Sequence, residues 1–210
     1  MKLYEYLLKT YGKTNPIFIK DIKIENMTEI AVRTGISRLL KAGKIKREAT
    51  GIYYIPENIE ILGLEKALSI SDICQKKYIE NEEGKIGYYT GLYLLNGLGF
   101  ITQVPNTLEI VTNSEKKNSR TVNIKGTKRI LKKPYTKITT ENEKYLQFLE
   151  LLRILPNEDF NKDKNNNYKN IGWYIKKREI DLEETKKYIY YYPKKVAKRF
   201  MEVENDFTQR

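Results

Sequence analysis

The chain has 210 residues, with 39 Lys+Arg against 27 Asp+Glu, a net charge of +12 and a sequence pI near 9.4. That length suits one large domain or two small ones, and the basic excess favours a polyanionic partner, nucleic acid before membrane surface. Histidine is absent and Cys74 is the single cysteine, which excludes histidine-based acid–base and metal chemistry and any intramolecular disulfide.

In chain order, Leu3, Tyr4, Leu7, Leu8 and Tyr11 recur at helical spacing and stop at Gly12, so residues 2–11 are predicted to form a helix. Asn15-Pro16 punctuates, and IFIKDIKI is expected to give a short strand and one helical turn. Asn26 or Thr28 can cap the next helix, which runs to about Ala42 and is stopped by Gly43. Strand IKRE, a turn at Ala49-Thr50-Gly51 and strand IYYI follow, and Pro56 closes a unit over 1–57. Those 57 residues hold 11 basic and 6 acidic side chains, net +5, against +4 for 58–135 and +3 for 136–210. Charge density therefore peaks at the N-terminal end.

Residues 59–80 are predicted to be helical, with Ile61, Leu64, Leu68, Ile73 and Ile79 supplying core and Cys74 a small buried residue. YYTGLYLLNGLGF is predicted to form a short buried helix ending at Gly97 and Gly99. TLEIVTN, RTVNI and KRILKK are predicted strands of a small, largely antiparallel sheet. From Glu141, Tyr145, Phe148, Leu149, Leu152 and Leu155 form one helical stripe ended by Pro156. NEDFNKDKNNNYKN is expected to be a polar loop, followed by helices over 171–178 and 182–191 and a third from near Pro193 to about Val203. The expected fold class is α+β: an N-terminal winged helix-turn-helix over 1–57, then a mixed domain over 58–210.

The segment Thr28–Pro56 carries the functional reading. Val32, Ile36, Leu39 and Leu40 fall at i, i+4, i+7 and i+8, with Ala31 beside them, making one apolar face. Arg33, Thr34, Ser37, Arg38 and Lys41 lie largely on the other. A recognition helix needs this division, because apolar residues anchor it while Arg and short polar side chains reach base edges. Arg33, Thr34 and Ser37 are the candidates for base contacts; Arg38, Lys41, Lys44 and the wing residues Lys46 and Arg47 are placed for phosphates. A cationic helix face is by itself most often merely solvated. The order helix, short element, helix, glycine, basic hairpin within 56 residues is what argues for DNA. Gly51 is expected to hold a positive φ at the wing tip. Gly35 costs ~1 kcal/mol against Ala inside a helix, which points to close approach by a neighbour.

Other features carry less. Lys116, Lys117, Arg120, Lys125, Lys128, Arg129, Lys132 and Lys133 make the strand region basic, yet a solvated sheet face explains them as readily. Tyr188, Tyr190, Tyr191 and Tyr192 could stack on single-stranded nucleic acid, though their spacing suits core and interface better. The adjacent pairs Glu82/Glu83 and Glu183/Glu184 would diverge on a helix, and GLYLLNGLG lacks the strand that feeds a phosphate loop. Neither catalysis, cofactor nor metal is expected. No apolar run approaches the ~20 residues that span a bilayer, and MKLYEYLLKTYG lacks the apolar core of a signal peptide, so a cytoplasmic location is expected.

The pattern AVRTGISRLLKAGKIKREATGIYYIP resembles the N-terminal winged helix of AbiEi-type antitoxins of bacterial type IV (abortive infection) toxin–antitoxin systems. GYYTGLYLLNGLGFITQVPNTLEIVTN is similar to that family's short helix, "LG", "TQVP"-like stretch and strand, and YYPKKVAKRFMEV to its closing helices. The resemblance implies a repressor that binds inverted repeats upstream of its own operon. It also implies a second domain that counteracts a nucleotidyltransferase toxin, with or without a stable complex. By that match Arg33, Ser37 and Arg38 occupy recognition-helix positions, and Lys46, Arg47 and Gly51 the wing. The competing expectation is a winged-helix transcriptional regulator whose second domain dimerises or senses a ligand, with no toxin partner.

Overall fold

The computed structural model describes residues 2–59, 64–156 and 164–208. It is α+β and divides into two compact units, Met1–Lys76 and Lys77–Arg210. The first unit therefore extends beyond the boundary expected after residue 57. Ile61 and the part of the Asn-rich stretch over 157–163 lie outside the described residues.

The first unit opens with helix α1 (Leu3–Tyr11), which Gly12 ends at φ +71°. Strand β1 (Ile17–Phe18) runs into a single 3-10 turn (Ile19–Asp21). Helix α2 (Glu29–Lys41) starts where the Thr28 hydroxyl accepts the Ala31 amide, removing one orphan donor of the first turn. It is followed by Gly43 at φ +68°. Strands β2 (Lys46–Ala49) and β3 (Ile52–Tyr54) form an antiparallel hairpin with an irregularity between Arg47 and Ala49. The sheet order is β1-β3-β2. Leu7, Tyr11, Ile17, Ile22, Val32, Ile36, Ile45, Tyr53 and Ile55 make the core beneath it. Gly35 faces α1 so closely that a Cβ would overlap Leu3 Cδ2, which accounts for glycine in mid-helix. Gly51 sits at φ +76° in the hairpin turn.

The helix expected over 59–80, in one or two pieces, forms only over its C-terminal half. Strands β4 (Glu57–Ile59) and β5 (Leu64–Lys66) pair antiparallel, and Glu57 and Lys66 face each other at 3.8 Å. Helix begins only where the Ser69 hydroxyl accepts the Asp72 amide at 3.0 Å, giving α3 (Ile70–Cys74) and a π-helical turn over Gln75–Ile79. A cap thus decides the boundary that periodicity misplaced. Leu64 is 61% exposed and contributes no core, whereas Leu68, Ile73, Cys74 and Ile79 are buried.

In the second unit, β6 (Glu80–Asn81) and β7 (Gly84–Lys85) make a small hairpin, and β8 (Gly87–Thr90) leads directly into α4 (Gly91–Gly97). The expected helix over YYTGLYLLNGLGF is therefore preceded by a strand. Strands β9 (Leu108–Thr112), β10 (Ser119–Ile124) and β11 (Thr127–Lys132) complete a sheet of order β10-β11-β9-β8. Lys125 and Gly126 turn the β10–β11 hairpin with φ +50° and +78°, the mirror-image turn that suits strand twist. Because β10 takes the edge, β11 returns beside β9 in the same direction; that one pairing is parallel and the other two antiparallel.

Helix α5 (Glu143–Ile154) packs on β8 and carries Leu146, Phe148, Leu149, Leu151 and Leu152 into the core. Helix α6 (Lys164–Arg178) takes up residues 164–170, the described half of the stretch expected as loop. Its Tyr168, Ile171 and Tyr174 join that core, and Gly172 lies so close to Phe207 that a Cβ would sit 2.8 Å from the ring. Burial of this stripe outweighs the poor helix propensity of the asparagines. Asp181 caps α7 (Leu182–Lys186), shorter than expected and followed by a 3-10 turn (Ile189–Tyr191). Helix α8 (Lys194–Thr208) follows Pro193 and supplies Val196, Phe200 and Val203 to the core. Among the described residues no helix is long and apolar enough to cross a membrane.

Candidate nucleic-acid interface

Helix α2 is divided lengthwise. Val32 and Ile36 are buried, Leu39 and Leu40 half-buried, and Ala31, expected beside them, is exposed. Arg33, Thr34, Ser37, Arg38 and Lys41 are all exposed. At 100° per residue, Thr34, Ser37 and Lys41 run down the centre of the outer face, with Arg33 on one flank and Arg38 on the other. Lys44 follows in the turn, its ammonium 5.4 Å from the Tyr4 ring centroid, and Lys46 and Arg47 project from β2. All eight residues expected to meet DNA are therefore exposed on one element and the hairpin after it. Among the described residues no carboxylate pairs with Arg33, Arg38, Lys41 or Lys44.

Three details refine their roles. The Thr34 hydroxyl donates to the Ile30 carbonyl at 2.9 Å, so its proton is committed to the backbone. Its methyl and an acceptor lone pair are what remain for a partner. Arg47 bonds locally, to the Ala49 carbonyl and Thr50 Oγ1, each at 3.4 Å, and this holds the guanidinium over the β2–β3 turn. Lys46 forms an ion pair with Glu65 of β5, so one wing cation already has an anion.

Two residues escaped the sequence reading. Ile30 is 77% exposed on the central line of the outer face, four residues before Thr34. Its signal was available, since it falls outside the stripe of Val32 and Ile36. Glu65 had no signal, because only the β4–β5 hairpin brings it to the wing.

The remaining candidates are largely absorbed by structure. In the basic strand region Arg129 is 8% exposed, Arg120 pairs with Glu115 at 2.6 Å and Lys132 pairs with Glu109. Tyr192 is buried and donates to the Leu146 carbonyl at 3.0 Å, and Tyr188 stacks on Tyr145 at 6.1 Å. Only Tyr190 and Tyr191 are exposed, in contact with each other at 3.9 Å. Glu183 and Glu184 pair separately with Lys186 and Lys187. A cleft of about 540 Å³ in the second unit is lined by Lys132, Lys133, Tyr135, Glu150 and Arg153. Within it Glu150, 2% exposed, accepts the Thr90 hydroxyl at 2.8 Å and two Arg153 nitrogens at 2.7 Å each. The bonds to Glu150 raise the Arg153 guanidinium above its ordinary pKa.

The chain belongs to a family of unknown function, DUF6088, whose sequence profile matches residues 4–182. No curated protein and no solved structure matches it.

Proposed function

We propose that this member of DUF6088 is a DNA-binding antitoxin that represses its own operon and acts in the cytoplasm without catalysis of its own. In this reading the first unit is a winged helix. Its α2 face enters the major groove, and its wing lies along the backbone of inverted repeats. The second unit counteracts a nucleotidyltransferase toxin. The observation that carries the DNA reading is the outer face of α2, where Arg33, Ser37, Arg38 and Lys41 stand exposed over a well-anchored apolar face. Backbone-directed cations supply affinity and Arg33 supplies discrimination, ~1–3 kcal/mol for a bidentate pair with guanine. The toxin reading rests on the resemblance of the Gly87–Asn113 segment and the closing helices.

A gel-shift experiment on DNA upstream of the gene tests the first part. The wild type is expected to bind, and an Arg33→Ala, Arg38→Ala double variant to lose most of that binding. Equal binding by the double variant rejects the assigned face. Co-expression with the product of a neighbouring nucleotidyltransferase gene tests the second part, with rescue of growth expected. The cleft lined by Lys132, Lys133, Tyr135, Glu150 and Arg153 favours a second reading, a regulator whose second unit senses a ligand. DNA binding without rescue selects it.

A further inference from the structure

The outer face of α2 is not wholly polar. Ile30 lies in its first turn and is 77% exposed, and the next residue on the same line, Thr34, has its hydroxyl proton tied to the Ile30 carbonyl. What this line presents at its N-terminal end is a sec-butyl group next to a methyl. The guanidinium of Arg33 lies on one side, and Ser37 and Arg38 on the next turn. An exposed isoleucine in a helix gains nothing from core packing and has only middling helix propensity. Arg33 and Arg38, neither in an ion pair among the described residues, argue against an apolar protein partner and for a polyanion. The one apolar group that a DNA major groove offers is the thymine C5-methyl.

We infer that Ile30, backed by the Thr34 methyl, reads a thymine methyl in the operator, next to the base contacted by Arg33. This rests on the proposal that α2 enters the major groove. It also changes the role of Thr34 from a hydrogen-bond donor to a base edge into part of an apolar contact. N-terminal residues of a recognition helix are the ones that reach base edges, which is where Ile30 stands. The specificity is then of mixed chemistry: a hydrogen-bonded guanine beside a methyl-read thymine.

The test uses the full chain and its upstream DNA, with each thymine of a half-site replaced in turn by deoxyuridine, which removes the methyl and nothing else. The wild type is expected to lose about fourfold in affinity at one position or two adjacent ones, the worth of one buried methyl. Ile30→Ala should bind the thymine operator about as weakly as the wild type binds the uracil one, and should no longer distinguish the two. Thr34→Ser keeps the hydroxyl bond and deletes the methyl, and should narrow the difference. Both sites are exposed, so thermal unfolding should be unchanged. Wild-type binding that ignores every thymine-to-uracil exchange overturns the inference, as does an Ile30→Ala variant that keeps the full thymine preference. Absence of wild-type binding to any upstream DNA instead rejects the underlying DNA reading.

Discussion

Gly87 has carbonyls on two sides: a Cβ would collide with Tyr78 O and lie 2.6 Å from Val111 O. Both obstacles are backbone, so relief requires moving β8 or its partner strand. Gly87→Ala is expected to cost about 3 kcal/mol, seen as a fall of roughly 10 °C in the melting temperature. Glu115 is the other residue whose surroundings make a sharp forecast. Its carboxylate accepts the Lys117 amide at 3.0 Å, the Lys116 amide at 2.9 Å and Arg120 Nε at 2.6 Å. The Lys117 bond above all holds it below the usual carboxylate pKa of 4.5, against an opposing push from burial. A lowered folded-state pKa means the contribution is complete above about pH 4.5 and fades as pH falls through the folded value. Glu115→Gln should therefore lower the urea midpoint at pH 7, and the gap to wild type should close progressively in a series taken below pH 4.5.

The β2–β3 and β4–β5 hairpins act on each other through Lys46 and Glu65. Both side chains are about half exposed, at 45% and 43%, so the pair contributes little to folding. Its effect on a polyanion is different in kind, since Lys46 must release Glu65 before it neutralises a phosphate. Glu65→Gln should raise affinity for operator DNA about twofold to fivefold at low salt, with the advantage shrinking as salt screens the pair. Isothermal titration across a salt series reads this directly, and unchanged affinity would place Lys46 away from the DNA. Helix α2 itself depends on a smaller device: the Thr28 cap fixes where its first turn begins, and so where Ile30 and Arg33 stand.

At the scale of the molecule, net charge overstates the surface free to meet a polyanion. The second unit is basic, yet Arg129 is buried, Arg120 and Lys132 are paired, and Lys186 and Lys187 are engaged by acids. If Arg38, Lys41, Lys44, Lys46 and Arg47 supply the phosphate contacts, log K should fall with log salt at a slope of about −4.5 per chain. Arg38→Ala with Lys41→Ala should flatten it by about 1.8. A much steeper wild-type slope would bring the lysines of the second unit into the footprint.

Much of the first unit could be read from its residues, because what specifies it is local. The Thr28 cap, the stops at Gly12 and Gly43, the positive φ at Gly51 and the two faces of α2 each depend on neighbours within one or two turns of chain. The exposure of all eight candidate residues was legible for the same reason. Tertiary structure alone decided the rest. The Lys46–Glu65 pair, the parallel pairing of β9 with β11 and the conversion of an Asn-rich stretch into α6 all join residues far apart in sequence. Such contacts leave no periodic trace, because their free energy comes from surface buried only once distant segments meet. Ile30 is visible as a break in the apolar stripe, but that a methyl lies beside it follows only from the Thr34 hydroxyl turning back to the Ile30 carbonyl.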